Sequence, residues 1–193
     1  MAGARERLLR EGVAMLTERG FNAVGVDEIL TATGVPKGSF YHYFGGKAEF
    51  GLALIDAYAA YFARKLDRWF LDESMPPLTR LRAFIDDAQA GMARFDFHRG
   101  CLVGNLGQEI ATLPDPFRDR LAAVFADWEA RTARCLEAAK TAGEIDPHAD
   151  CARLATFFWI GWEGAVLRAK LERGPEPLNQ FADGFFALIK TRD

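Results

Sequence analysis

Helical periodicity, interrupted by glycine and proline, is the feature that most constrains the fold of this 193-residue chain. Apolar residues recur at three- and four-residue spacing, which is the pattern of an amphipathic helix. Glycine or proline stands at most of the breaks, and both residues commonly mark helix ends. The predicted helices are 4–19, 26–33, 37–43, 47–71, 77–94, 100–112, 115–142, 149–172 and 177–190. No spacing supports a parallel sheet, so we expect an all-α fold and not a Rossmann-type enzyme.

Composition narrows the class of protein. Hydrophobic residues make up 50% of the chain and charged residues 26%, as in a soluble globular protein. The net charge of −3 argues against non-specific coating of nucleic acid, but it permits a small local basic face. One such segment is 35–47, which carries Lys37, His42 and Lys47 and has no acidic residue.

The cysteines and the apolar runs further limit the class of protein and its location. Cys101, Cys135 and Cys151 are three in number and widely spaced, which fits neither a disulfide framework nor a metal pattern. The first residues lack the apolar core of a signal peptide. The most apolar run, 154–166, is too short to span a bilayer and contains Glu163. We therefore expect a cytoplasmic protein without metal, cofactor or membrane association.

Residues 25–44 have the pattern of a helix-turn-helix. Gly34 supplies a tight turn, and Val35 before Pro36 forms the corner between two short helices. The side chains expected to anchor these helices are Ile29, Leu30, Phe40, Tyr43 and Phe44. The second helix would then lie in the major groove of DNA.

The residues left for DNA contact are small, basic or aromatic. Lysines pair with phosphates, while a tyrosine offers its hydroxyl to a phosphate or its ring to a thymine methyl group. The predicted contact residues are Lys37, Gly38, Ser39, Tyr41, His42 and Lys47. On spacing alone, an aromatic run such as 40–44 is more typical of a protein core than of a recognition surface.

A resemblance adds to this pattern. Residues 26–29, 34–44 and Lys47, with Phe21 before them, resemble the DNA-binding head of the TetR family of repressors. That resemblance implies an all-helical homodimer on palindromic operator DNA. It also implies a head at 1–46, a ligand-binding and dimerisation body at 47–193, and a fourth helix that connects them.

The resemblance also assigns the DNA contacts to the six residues above. Gly25 stands where many members carry a threonine that caps the helix and touches phosphate. Gly25 remains among the DNA-contact positions, although it cannot make that side-chain contact.

The body resembles one subgroup of the family. The segments 99–109, 158–165 and 167–170 resemble the repressors of N-ethylmaleimide reductase and of acrylate utilisation. The resemblance implies a repressor released by a small unsaturated or electrophilic compound, such as acrylate, an enal, an enone or a maleimide.

Cys101 is the candidate sensor, because a thiolate adds to electrophilic double bonds. The alternative is that Cys101 is a small buried hydrophobe, and we interpret Cys135 and Cys151 as structural. The further ligand-binding candidates are Asn105, Gln108, Trp128, Trp159, Trp162 and Glu163. Core packing is the alternative role of the tryptophans. The candidate partners of an anionic effector are Arg99, Arg131 and Arg168.

The last two predicted helices carry more apolar surface than one helix pair needs, which predicts a four-helix dimer interface.

Two other classes of protein are alternatives to a DNA-binding regulator. An enzyme would need a nucleophile beside an oriented base, and the pair His98 and Cys101 lacks a third group. A helical interaction module would not contact DNA at all. We expect a regulator and not an enzyme.

Overall fold

The computed structural model describes residues 3–190, and helices dominate that part of the chain. They are α1 (Ala4–Arg19), α2 (Val26–Thr33), α3 (Lys37–Tyr43), α4 (Lys47–Phe70), α5 (Pro77–Ala93), α6 (Leu102–Gln108), α7 (Pro116–Thr141), α8 (Cys151–Glu172) and α9 (Glu176–Ile189). Within the same residues, β-type pairing is limited to one isolated bridge between Ile145 and Lys190. The predicted all-α fold is confirmed. None of the helices between residues 3 and 190 is both long and apolar enough to span a bilayer.

The predicted helix 100–112 differs from the structure, whereas the other predicted ends lie within two residues of the observed ones. Helix α6 starts only at Leu102, because Cys101 is extended. The amide of Gly100 donates to the carbonyl oxygen of Thr17 at 3.1 Å instead of entering the helix. After Glu109 the chain tightens into a 3-10 turn, Ile110–Thr112.

The chain divides into two compact units. The first unit contains the residues up to Tyr61 together with Arg99–Val124, and the second contains Phe62–His98 together with the residues from Phe125 onward. Helices α4 and α7 each contribute residues to both units. The division into 1–46 and 47–193 stays a prediction.

In the first unit, α1 packs against α2, α3 and α6. Leu8 is fully buried on α1, and Phe50 and Leu54 are buried on α4. Gly12 lets these two helices approach closely, because a Cβ atom there would lie 2.7 Å from Phe50 Cζ and 2.8 Å from Leu54 Cδ2. The start of α4 is therefore held by the same core that supports α1.

The second unit has an aromatic core. The ring centroids of Trp128 and Trp159 are 4.8 Å apart, and that of Phe62 lies 4.4 Å from Trp128. The indole N–H of Trp159 donates to Thr132 Oγ1 at 2.9 Å, and the Thr132 hydroxyl donates to the carbonyl of Trp128 at 2.9 Å. Thr132 is fully buried, so this hydroxyl satisfies a polar group that water cannot reach.

Replacing Thr132 by valine tests that role. Thr132→Val keeps the shape but leaves the buried Trp159 N–H without its acceptor, which costs about 1–3 kcal/mol of unfolding free energy. The measurement is denaturant unfolding at fixed protein concentration. Thr141→Val is the control, because its exposed hydroxyl also donates to a carbonyl four residues earlier, at 2.9 Å from Glu137 O. We expect the control to change stability by less than about 0.5 kcal/mol, and equal losses in both variants would contradict the assignment.

Candidate nucleic-acid interface

The turn between α2 and α3 has the geometry that the sequence predicts. Gly34 is left-handed, with φ of 64°, and its amide donates to the carbonyl of Leu30 at 2.9 Å. This conformation favours glycine, which has no Cβ atom to strain it. Val35 is buried at the corner, and Pro36 precedes the first residue of α3.

Aromatic packing anchors α3 on α4. The ring centroid of Phe50 lies 5.3 Å from that of Phe40 and 5.0 Å from that of Phe44. Phe40 and Phe44 are buried, as are the predicted anchors Ile29 and Leu30 of α2. The prediction is wrong for Tyr43, which is 38% exposed and lies at the edge of the core, beside the rings of His42 and Phe44.

The opposite face of α3 is open. Lys37, Gly38, Tyr41 and His42 are exposed, and Ser39 is half-buried. The core interpretation of the run 40–44 therefore holds only for Phe40 and Phe44. A helix-turn-helix whose second helix exposes such side chains has the form that enters a major groove.

Gly25 is the residue that precedes α2. It is extended, with φ of −87° and ψ of 152°, and it gives α2 no side-chain cap. A Cβ atom at Gly25 or at Gly38 would have nothing within 4 Å, so both positions face open space.

The two candidate phosphate-binding lysines are held differently. Lys37 Nζ lies 3.0 Å from Asp27 Oδ1, and the hydrogen bond from this carboxylate raises the pKa of Lys37. Both side chains are well exposed, so the pair is worth little and Lys37 can leave it at small cost. Lys47 Nζ lies 4.5 Å from the ring centroid of Phe21. Partial burial lowers the pKa of Lys47, and the carboxylate of Glu109 opposes that effect.

Three candidate sensing residues lie in the first unit. Cys101 is 8% exposed and is the residue that precedes α6, and its carbonyl accepts the amide of Asn105 at 3.0 Å. The side-chain amide of Asn105 is used within the protein, because it donates to the carbonyls of Leu16 at 3.1 Å and Thr17 at 2.8 Å. Gln108 is exposed.

The other four candidates lie on α7 and α8 in the second unit. Trp128, Trp159 and Trp162 are all buried, and their rings pack against other aromatic side chains of that unit. Glu163 is half-buried on α8. The tryptophans therefore belong to the aromatic core, which was the alternative role that the sequence left open.

The arginine candidates for an anion all have carboxylate partners. Arg99 Nε lies 3.7 Å from Glu18 Oε2, and Arg168 Nε donates to Glu172 at 2.6 Å. Arg131 is paired with both Asp67 and Asp127.

Arg131 also borders a cavity of about 130 Å³ in the second unit. The same cavity is lined by Arg80, Arg134 and Cys135. No sequence pattern indicated the two arginines as candidates for an anion site.

The two other cysteines are buried, and His98 is exposed. Burial raises the pKa of Cys135, and that of Cys151, to about 11, so both stay protonated and poorly nucleophilic near neutral pH. A ring nitrogen of His98 lies 3.0 Å from the carbonyl of Asp96. Within residues 3–190, no group of three or more His, Cys, Asp or Glu side chains is arranged to hold a metal ion.

Sequence reasoning missed the role of Glu109, which it treated only as part of a motif. The carboxylate accepts hydrogen bonds from the amides of Phe21 at 2.8 Å and Asn22 at 2.9 Å. The available signal was the four-residue spacing from Asn105, which places both side chains on one side of a helical segment. Their contact with residues nearly ninety positions away gave no local signal.

Comparison with known proteins identifies the family of both parts of the chain. Residues 8–54 match the model for bacterial regulatory proteins of the tetR family, and residues 77–185 match the model for the tetracyclin repressor-like C-terminal domain.

Individual relatives agree with this match. The chain is 57% identical to the transcriptional regulator AcuR of Cereibacter sphaeroides, over 98% of this chain and 86% of the relative. It is 29% identical to the HTH-type transcriptional repressor NemR of Escherichia coli K12, over 90% of this chain and 87% of the relative. The crystal structure of regulatory protein TetR from Rhodobacter sphaeroides superposes with a TM-score of 0.95 and 56% identity, over 96% of this chain and 98% of that one.

Charge substitutions at the Lys37–Asp27 pair test the interface. Asp27→Asn removes a carboxylate that competes with phosphate for Lys37, so we expect DNA affinity to rise by up to about five-fold. Lys37→Ala should lower the affinity and reduce the slope of log affinity against log salt by about one. Fluorescence anisotropy with a labelled duplex measures both effects.

Asp183→Asn is the matched control for this test. Asp183 is an exposed carboxylate of the second unit, 3.3 Å from Arg82. The control should leave DNA affinity unchanged. An unaltered salt slope in Lys37→Ala would contradict the phosphate contact.

Proposed function

Because the chain belongs to the TetR family of DNA-binding transcriptional repressors, which are not enzymes, we propose that it binds a palindromic operator as a homodimer and leaves it on sensing a small unsaturated or electrophilic compound. The observation that carries the proposal is the exposed face of α3, mounted on a buried aromatic anchor and a left-handed glycine turn.

DNA binding through α3 follows from the side chains on that face. Tyr41 is 52% exposed, and Gly38 leaves room for a base pair or a phosphate to approach the backbone. Base edges would be contacted from this helix, while Lys37 and Lys47 would meet phosphates. Ser39, His42 and Gly25 complete the proposed contact surface.

Dimerisation is proposed through α8 and α9. These helices pack against each other and still expose large apolar side chains, namely Phe157, Ile160, Leu167, Leu171 and Leu188. A second copy related by two-fold symmetry would bury them against the same patch. The two α3 helices of such a dimer would address two half-sites of a palindrome.

Effector sensing is proposed at Cys101. In the addition of its thiol to an enone, an acrylate or a maleimide, sulfur forms a bond to the β-carbon. The carbon–carbon π bond breaks, and the thiol proton ends on the α-carbon. Cys101 is buried, so the added atoms displace neighbouring groups in a close-packed interior.

The resemblance of residues 99–109 to the electrophile-related subgroup, together with the raised pKa of Cys135 and of Cys151, supports this choice of residue. Gln108 and Glu163 are further proposed effector contacts. Asn105, Trp128, Trp159 and Trp162 would contact an effector only if it entered the packed interior that these side chains already occupy. Effector and DNA then weaken each other reciprocally, because each favours a different arrangement of the dimer.

Operator binding and dimerisation can be tested together. We expect the purified protein to retain a duplex from the DNA upstream of its own gene, and to elute as a dimer in light-scattering chromatography. Ile160→Asp places a charge on the apolar patch, so it should yield monomers and lower operator affinity by about ten-fold or more.

Leu71→Asp is the control, since Leu71 is 63% exposed but lies outside α8 and α9. A dimeric, fully active Ile160→Asp variant would contradict the interface. Absence of specific binding to any upstream duplex by the wild-type protein would contradict the function itself.

A cysteine substitution tests the sensor. Operator release is followed by anisotropy while N-ethylmaleimide or acrylate is added to the wild-type protein, to Cys101→Ser and to the control Cys151→Ser. We expect release from the wild type and from Cys151→Ser, and none from Cys101→Ser with N-ethylmaleimide. If Cys101→Ser is released as readily as the wild type by N-ethylmaleimide, Cys101 is not the sensor. Release of that variant by acrylate alone would instead indicate reversible binding.

A further inference from the structure

Two side chains from the α6 segment contact the end of α1 and the turn that follows it. Asn105 donates to the carbonyls of Leu16 and Thr17, which lie in the last turn of α1. Glu109 accepts the amides of Phe21 and Asn22 at 2.8 and 2.9 Å. A donor therefore meets carbonyl groups and a carboxylate meets amide groups, so each side chain has the polarity that its site requires.

Residues next to Glu109 accommodate its carboxylate and hold the turn after α1. A Cβ atom at Gly20, which has φ of 86°, would lie 2.2 Å from Glu109 Oε1, so only glycine admits the carboxylate here. The side-chain amide of Asn22 also donates to Thr112 Oγ1 at 2.9 Å.

The same carboxylate is linked to a proposed DNA contact. Glu109 holds the backbone of Phe21, and the ring of Phe21 lies under the ammonium group of Lys47 at 4.5 Å. Glu109 also attracts Lys47 electrostatically. The position of the Lys47 ammonium group therefore depends on where Glu109 holds the turn.

We propose that Asn105 and Glu109, which we call the α1 clamp, are positioning residues for DNA binding: they fix the end of α1 and the turn after it, and through Phe21 they hold Lys47 where it meets a phosphate. The proposal rests on the proposed phosphate contact of Lys47. It also connects Cys101 to α1 through Asn105, whose backbone amide donates to the carbonyl of Cys101 at 3.0 Å.

A purely electrostatic role of Glu109 predicts the opposite result. Removing a negative charge near DNA would by itself strengthen binding to phosphates. A purely structural role would lower thermal stability and leave the number of phosphate contacts unchanged. Loss of affinity together with a smaller salt slope therefore separates positioning from both alternatives.

The experiment measures operator affinity by anisotropy between 50 and 200 mM KCl, the range over which phosphate contacts are usually resolved. Glu109→Gln keeps the shape of the side chain but removes its charge and one acceptor oxygen. We expect it to lower affinity by about ten-fold. The salt slope should fall by about one, as for the loss of a single phosphate contact. In a Lys47→Ala background, Glu109→Gln should cause no further change in slope, because the two residues act through one contact.

Two further variants keep the test decisive. Asp119→Asn removes an exposed carboxylate of the first unit that has no proposed role, and it should leave affinity and slope unchanged. Thr112→Val removes two exposed bonds, the one accepted from Asn22 and the one donated to the carbonyl of Glu109 at 3.0 Å. It should therefore fold normally and lower affinity by about two- to five-fold. Circular-dichroism melting confirms that each variant is folded.

The outcomes separate this inference from the proposed function. If the wild-type protein fails to bind any operator, the proposed function is wrong. If the wild type binds but both Glu109→Gln and Thr112→Val keep its affinity and salt slope, the α1 clamp is wrong while the function stands. Affinity losses of Glu109→Gln and Lys47→Ala that simply add would also overturn the clamp.

Discussion

The interaction on which the DNA-binding part depends is the satisfaction of backbone groups at the end of α1. A helix leaves its last carbonyls without partners inside the helix, and the turn that follows exposes amides. Here Asn105 donates to the carbonyls and Glu109 accepts from the amides, both from a segment far away in sequence. The head is therefore not self-sufficient, because part of its local geometry is completed by α6 and the residue after it.

Side-chain packing around Phe50 also stabilises the first unit. Phe50 on α4 contacts both aromatic anchors of α3, and Gly12 lets α1 lie close to the same side chain. One phenyl ring thus connects three helices of the first unit. Such a core transmits strain, since close-packed side chains cannot move independently.

Much of this architecture could be predicted from the sequence, because helix ends and the Gly34 turn depend on local chemistry. Which side chains of the aromatic run 40–44 are buried could be predicted only in part. Phe40 and Phe44 are one helical turn apart and share the buried face, whereas Tyr43 sits at its edge and is exposed. Periodicity could not assign Trp128 and Trp159 to core or cavity, since both uses have the same spacing. The partners of Glu109 could not be predicted, because they are set by tertiary structure and lie nearly ninety positions away.

The open positions at Gly25 and Gly38 have an evolutionary consequence. Neither has a positive φ, and a Cβ atom at either would meet nothing within 4 Å. A side chain can be added there without disturbing the fold, and in α3 it would even gain roughly 1 kcal/mol of helix propensity over glycine. After gene duplication, a copy of this protein can thus gain a new exposed side chain before α2 or on α3 through a single substitution, with its core unchanged.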